Sequence, residues 1–278
     1  MDKISLAVLN LLEFLNISDY PINPLSVVKK LENSGFHETN IMLSTYSEYS
    51  KFSGKSLDYI CEKVFNSKDG ASAFDIKDNK CLIIYNDAIK NSMRIRFTIA
   101  HELGHVLLNH HTESSKNEAF AEAEADLFAQ NLLCHPLILK RAKIKDYEQV
   151  SKSFKISNHA AKVVLNSTGR IFNQYDHKIL DRFYNFVHTK KCKLCHKIFI
   201  CEDAEACPVC AYRRLEFYHS AENCYQKNYC KEDAENCEKE NICESCGKIL
   251  GKDFRYCPVC KTQSLYFKEN ILQEWDFK

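Results

Sequence analysis

The run Met93-Arg94-Ile95-Arg96-Phe97-Thr98-Ile99-Ala100-His101-Glu102-Leu103-Gly104-His105-Val106-Leu107-Leu108-Asn109-His110-His111 decides how the rest of the chain is read. His101 and His105 are four residues apart, so on an α-helix both imidazoles point the same way and can hold one metal ion. Glu102 follows the first of them and lies beside such a metal rather than on it. There it can take a proton from a metal-bound water, the division of labour in metal-assisted hydrolysis. A helix is expected over residues 91–109, with Ile95, Ile99, Leu103, Val106 and Leu107 facing a core. Gly104 costs about 1 kcal/mol in a helix interior relative to Ala. It is either merely tolerated or needed because another segment packs closely between the two ligands.

Two His leave a zinc site short of a third protein ligand. One zinc pattern places a third His six residues past the second, which is His111, but it also needs Gly at position 108, and this chain has Leu108. His110 and His111 therefore read as a polar helix end. The better source is Glu118-Ala-Phe-Ala-Glu122-Ala-Glu124-Ala-Asp126-Leu-Phe128-Ala129. Ala121, Ala125, Phe128, Ala129, Leu132 and Leu133 define one helical face. At about 100° per residue, Glu122 sits roughly 60° from the centre of that face and Glu124 roughly 100° on the other side. Glu122 is thus expected to be the more buried and to be the third ligand, with Glu124 and Glu118 as alternatives. A solvated helix glutamate fits Glu124 best. Asp126, one turn after Glu122, is placed to accept a hydrogen bond from a ligand His.

Upstream, residues 1–65 look mainly helical, with helices over 3–16, 25–32 and 56–65, the last having Leu57, Ile60, Cys61 and Val64 on one face. Lys68-Asp69-Gly70 signals a turn. Residues 71–76 and 81–85 are strand-like and flank Lys77-Asp78-Asn79-Lys80, which predicts a hairpin. Helix, small sheet, then motif helix is an α+β order.

Arg94-Ile-Arg96-Phe97-Thr98-Ile-Ala100-His-Glu-Leu-Gly-His, followed by Glu-x-Glu-Ala-Asp-x-Phe-Ala-x-x-Leu-Leu and Pro136, resembles the ImmA/IrrE metallopeptidase family over about residues 1–185. Many members place that proline one residue earlier. The resemblance implies a gluzincin-like zinc endopeptidase with a mainly helical core. It also implies site-specific cleavage of a transcriptional repressor and a helix-turn-helix-like segment after the core. Residues 147–165 fit that segment, with Val150 and Phe154 on a first helix, Lys155-Ile156-Ser157 as the turn, and Ala160, Val163 and Val164 on a second. As a pattern it equally fits a packing subdomain or a substrate-docking surface.

After residue 188 the composition changes. Cys192-x2-Cys195 precedes Cys207-x2-Cys210, and Cys243-x2-Cys246 precedes Cys257-x2-Cys260. Each pair of turns can close a tetrahedral four-cysteine zinc site, and the shared Cys-Pro-Val-Cys at 207–210 and 257–260 marks an internal duplication. Both sites are expected to be structural zinc ribbons. Cys201 reads as a buried strand residue, and Cys61, Cys81 and Cys134 as core residues. Cys224, Cys230 and Cys237 lie in a polar linker at spacings that match no common metal site.

The chain carries 38 basic and 37 acidic residues, which argues against a general nucleic-acid binder and gives no pull toward a membrane surface. No apolar run is long enough to span a bilayer, and the amphipathic first helix lacks the marks of a signal peptide, so the expectation is a cytoplasmic protein. Five segments are expected: a metallopeptidase core over 1–145, a helix-turn-helix-like segment over 146–188, zinc ribbons over 189–218 and 241–278, and a polar linker over 219–240. The cofactors are one catalytic and two structural zinc ions, and the partner is a protein substrate, a helix-turn-helix repressor by the resemblance. The alternative is a non-hydrolytic regulator that binds a repressor or nucleic acid through its ribbons.

Overall fold

The computed structural model describes residues 2–75, 77–111, 117–218 and 241–272. It forms two compact units, Met1–Phe183 and Tyr184–Lys278.

The first unit opens with α1 (Asp2–Phe14), which buries Ile4, Val8, Leu11 and Leu12, and α2 (Pro24–Leu31), whose proline occupies the first turn where no N–H is needed. Next come β1 (Asn40–Thr45), α3 (Tyr46–Ser53), the short α4 (Leu57–Tyr59), β2 (Gly70–Asp75) and β3 (Lys80–Tyr85). β2 and β3 form the expected antiparallel hairpin, with Ala71 opposite Ile84 and Asp75 opposite Lys80. Residues 1–65, expected to be mainly helical, also contain β1, which pairs parallel with β3 and makes the sheet order β1-β3-β2. The helix expected over 56–65 is also corrected. After α4 the chain widens into a π-helical turn, Ile60–Val64, so Ile60 is buried while Leu57 and Val64 are exposed.

The motif helix is α5 (Ser92–Leu107), started by the Asn91 side chain, which accepts hydrogen bonds from the Met93 and Arg94 amides. It stops two residues short of expectation. Asn109 takes a left-handed φ of 57°, and the His110 amide donates back to the His105 carbonyl at 3.0 Å, so the chain turns over the end of the helix. α5 rests on the sheet at Gly70, where any Cβ would lie 2.6 Å from both the Ile84 carbonyl oxygen and Thr98 Cγ2. It packs on its other side against α6 (Glu118–Leu133), which is followed by α7 (Pro136–Ala142).

α8 (Tyr147–Phe154) and α9 (Asn158–Asn166) form the expected helix pair, joined through Lys155 in the left-handed region. The buried residues of α9 are Ala161 and Val164, while Val163 is exposed, so its inner face lies one residue from the predicted one. Arg96 ties this turn to α5 by donating to the Lys155 carbonyl at 3.0 Å and the Ile22 carbonyl at 2.6 Å. α10 (Gln174–Arg182) closes the unit. Its buried Asp176 accepts from Ser5 Oγ on α1 at 2.7 Å and the Asn173 amide at 2.9 Å, and lies 2.9 Å from His135 Nε2 at the end of α6.

The second unit contains α11 (Tyr184–His188) and an antiparallel sheet of β4 (Thr189–Cys192), β5 (Ile198–Ile200) and β6 (Leu215–Phe217), in the order β5-β4-β6. The duplicated repeats do not stand as separate modules. The Glu205 and Ala206 amides donate to the Pro258 carbonyl at 2.8 and 3.0 Å, and the Arg255 and Tyr256 amides donate to the Pro208 carbonyl at 2.8 and 2.9 Å. Lys197 pairs with Asp253 at 2.6 Å and Lys248 with Asp203 at 3.7 Å, the same exchange repeated. Phe199 and Cys201 from one repeat share a core with Cys243, Leu250, Phe254 and Cys257 from the other. Cys224, Cys230 and Cys237 lie outside the described residues.

Burial opposes ionisation of Asp176, but the hydrogen bonds from His135, Ser5 and the Asn173 amide outweigh it and hold its pKa at about 2. A folded-state value below the ordinary one of about 3.9 adds stability above that pH, and the gain is lost as pH falls toward 2. Asp176→Asn is therefore expected to lower the thermal midpoint at neutral pH and to converge with the parent chain as the pH approaches 2. Parallel unfolding curves across that window would rule out the carboxylate as the source.

Candidate metal centre

α5 and α6 approach closely because residue 104 is glycine. A Cβ there would lie 3.1 Å from Phe128 Cδ1 and 3.2 Å from Ala125 Cα. Of the two readings of Gly104, close packing is the one the geometry supports. That approach brings the two halves of the site together. His101 Nε2 and His105 Nε2 are 3.0 Å apart, and the Glu122 carboxylate reaches both, at 3.2 Å from His101 and 3.3 Å from His105. Zinc bonds of about 2.0–2.1 Å in a tetrahedron set nitrogen and oxygen ligands roughly 3.3 Å apart, so these three side chains fit the ion. Their ligand atoms all lie within 4.8 Å of one another.

The surrounding groups orient these ligands. Asp126 Oδ1 lies 2.9 Å from His101 Nδ1, where a carboxylate fixes the ring with Nε2 turned toward His105 and Glu122. His105 Nδ1 lies 3.0 Å from His110 Nδ1, and His110 Nε2 lies 3.0 Å from Glu124 Oε2. Here two expectations are corrected. His110 is more than a polar helix end, because the left-handed turn at Asn109 folds it inward, and its side chain is only 3% exposed. Glu124 is more buried than Glu122, at 14% against 54% side-chain exposure, because His110 covers it while Glu122 faces an open cleft. Glu118 lines the same cleft but is outside the ligand cluster, and so is His111.

Glu102 points toward β2, where it accepts a hydrogen bond from Ser72 Oγ at 2.7 Å; His111 Nε2 lies 3.1 Å from the same hydroxyl. The Ser72 partner of Glu102 was not visible in the sequence, because it arrives from another element. Burial raises the Glu102 pKa against the lowering effect of the Ser72 bond, which moves a carboxylate toward the range useful for proton transfer. Burial also pushes His105 down to about 3, reinforced by the neighbouring His101, His110 and His111, so its imidazole is neutral and able to donate a lone pair. The cleft holds about 600 Å³ and is lined by Gly70, Ala71 and Ser72 of β2 together with Phe97 and Glu118. Arg94 holds the approach to β2 through a 2.7 Å ion pair with Asp69.

In the second unit, Cys192, Cys195, Cys207 and Cys210 form one cluster, and Cys243, Cys246, Cys257 and Cys260 another. The sulfur atoms of each cluster all lie within 4.8 Å of one another, and hydrogen-bonded pairs among them stand 3.3 to 3.6 Å apart, close to the roughly 3.8 Å of tetrahedral thiolate zinc. Every Cys-x-x-Cys turn closes alike. The residue after it (His196, Ala211, Gly247 or Lys261) is left-handed and donates its amide to the carbonyl of the first cysteine, at 2.9–3.1 Å. Cys201 is buried in the shared core outside both clusters, Cys81 and Cys134 are buried, and Cys61 is half-buried.

Residues 59–166 match the peptidase family model described as the IrrE N-terminal-like domain. The resemblance to ImmA/IrrE metallopeptidases therefore holds over a stretch that contains His101, Glu102, His105, Glu122 and Asp126. The family and the two four-cysteine clusters both point to zinc. No curated protein matches the chain significantly. Among the described residues, no helix is long and apolar enough to cross a membrane.

Gly104→Val is expected to push α6 away from α5, costing roughly 1–3 kcal/mol of stability and weakening zinc binding at the His site, while the cysteine clusters stay loaded. Zinc titration with parallel thermal unfolding checks this, and full zinc affinity in the variant would contradict it. Cys195→Ser should empty the first cluster and also hasten zinc release from the second, because the repeats share a core. Chelator-release kinetics would show otherwise if the second rate did not change.

Proposed function

We propose that the chain is a gluzincin-like zinc endopeptidase in which His101, His105 and Glu122 hold the catalytic ion and Glu102 is the general base. The observation that carries this reading is the convergence of two Nε2 atoms and one carboxylate beside a half-buried Glu102 that faces the same cleft. Zinc, when bound there, acts as a Lewis acid that lowers the pKa of water and polarises a carbonyl. The protein's own groups do the rest. Glu102 takes a proton from the attacking water and passes it to the leaving amine, and Ser72 holds the carboxylate in the orientation for both transfers. Asp126 keeps the His101 lone pair directed inward.

The substrate backbone enters along β2, the strand at one edge of the sheet, whose residues 70–72 line the cleft. An extended peptide added to that edge brings its carbonyl past Glu102, using main-chain hydrogen bonds for affinity. The substrate class is a protein. By the family resemblance it is a helix-turn-helix transcriptional repressor cut at one site in the cytoplasm. The complete chain then binds three zinc ions, one catalytic and two structural. The α8–α9 pair and the ribbon unit serve to dock the partner rather than to read nucleic acid, in keeping with the near-zero net charge.

Glu102→Gln keeps the size of the side chain and removes the base. Cleavage of a candidate repressor is expected to fall by about 10²–10⁴-fold or more, with zinc content still near three per chain. Undiminished cleavage by this variant would refute the assignment of Glu102. Metal-independent sequestration of the repressor, with no fragments formed, would favour a binding protein instead.

A further inference from the structure

We infer that Glu124 and His110 form a two-step positioning relay for His105, fixing which of its nitrogens is left to bind metal. The inference rests on the metal centre proposed above and adds two residues that lie outside both the three-residue cluster and the lining of the cleft.

The proton assignments follow from one end of the chain of contacts to the other. His105 Nε2 faces His101 Nε2 and Glu122, so its lone pair belongs on that side and its proton on Nδ1. The Nδ1–H then needs an acceptor, and the atom 3.0 Å away is His110 Nδ1. For that nitrogen to accept, His110 must carry its proton on Nε2, which lies 3.0 Å from Glu124 Oε2. An ionised carboxylate only accepts, so the last link admits one direction alone. Reversing any one link leaves two donors or two lone pairs facing each other.

Burial and backbone geometry support the same reading. The His110 side chain is 3% exposed and Glu124 14% exposed, so water competes little for these bonds. The turn at Asn109 and the 3.0 Å bond from the His110 amide to the His105 carbonyl hold the second ring against the first, with ring centroids 5.0 Å apart. The two His ligands are thus oriented by different devices. His101 has a carboxylate directly behind it, whereas His105 has a neutral ring with the carboxylate one step further away. Outer groups of this kind commonly contribute 10–100-fold to metal affinity.

The test is zinc competition with a chromophoric chelator on the full chain, with unfolding of each zinc-free variant recorded in parallel. His110→Phe keeps a ring and removes both nitrogens; it is expected to weaken the third zinc roughly 10–100-fold. Glu124→Gln leaves an amide oxygen able to accept and should weaken it less. The double variant should bind zinc no more weakly than His110→Phe alone, since the relay carries the effect of Glu124 on His105 through His110; additive losses would overturn the relay. Should His110→Phe not fold, nitrogen-15 imidazole spectra of the zinc-loaded parent chain decide the matter. A proton on His105 Nδ1 and on His110 Nε2 supports the relay, and the opposite tautomer of either ring overturns it. A parent chain that binds only two zinc ions overturns the metal centre and the relay together, whereas three ions with unchanged affinity in a folded His110→Phe overturn the relay alone.

Discussion

The close approach of α5 and α6 at Gly104 is the contact on which the site depends. Two helices packed through ordinary side chains sit about 8–10 Å apart. At that range a glutamate on one must stretch to meet a ligand pair on the other. Removing the Cβ at residue 104 lets the Phe128 ring and the Ala125 backbone come in against α5, and Glu122, less than one turn before Ala125, then spans both imidazoles. The same helix α5 is pinned from the opposite side, where Gly70 allows β2 to reach Thr98 and delivers Ser72 to Glu102. Two missing side chains, one on each flank, thus bring Glu122 and Ser72 to the same helix.

The electrostatics follow from that crowding. Carboxylates stand around two imidazoles in a half-buried space, and each carboxylate has a distinct environment. Glu122 is open to the cleft, Asp126 sits behind one ring, Glu124 lies beneath a covering ring, and Glu102 bonds to a hydroxyl. Environment rather than residue type distinguishes these chemically alike groups on one helix pair.

Much of this was legible in residue spacing. His101 and His105 share a face because four residues are nearly a helical turn, and Asp126 could be placed behind a ligand by the same arithmetic. Helical geometry alone puts Glu122 deeper than Glu124, the reverse of their observed exposures. That geometry holds for a helix with a single buried face, whereas α6 packs against both α1 and α5 and is also covered by the turn after α5. Asn109 carried the missing signal, since asparagine just past a helix is a common left-handed cap. β1 was illegible for a different reason. Asn40–Thr45 shows no clean alternation, and its partner is a parallel strand reached only after α3, α4 and β2. The reciprocity of the ribbons was hidden because repeated cysteines reveal a metal site but not what its neighbours bond to.

That reciprocity bears on how such a tail could arise. The backbone of each repeat donates to the proline of the other, and each repeat's lysine meets the other's aspartate, so the two halves are related by an approximate dyad. A surface that binds its own duplicate across a dyad is self-complementary, as in an isologous dimer. The tail has the form of a homodimer written twice into one polypeptide, in which covalent linkage has replaced concentration as the force that keeps the halves together.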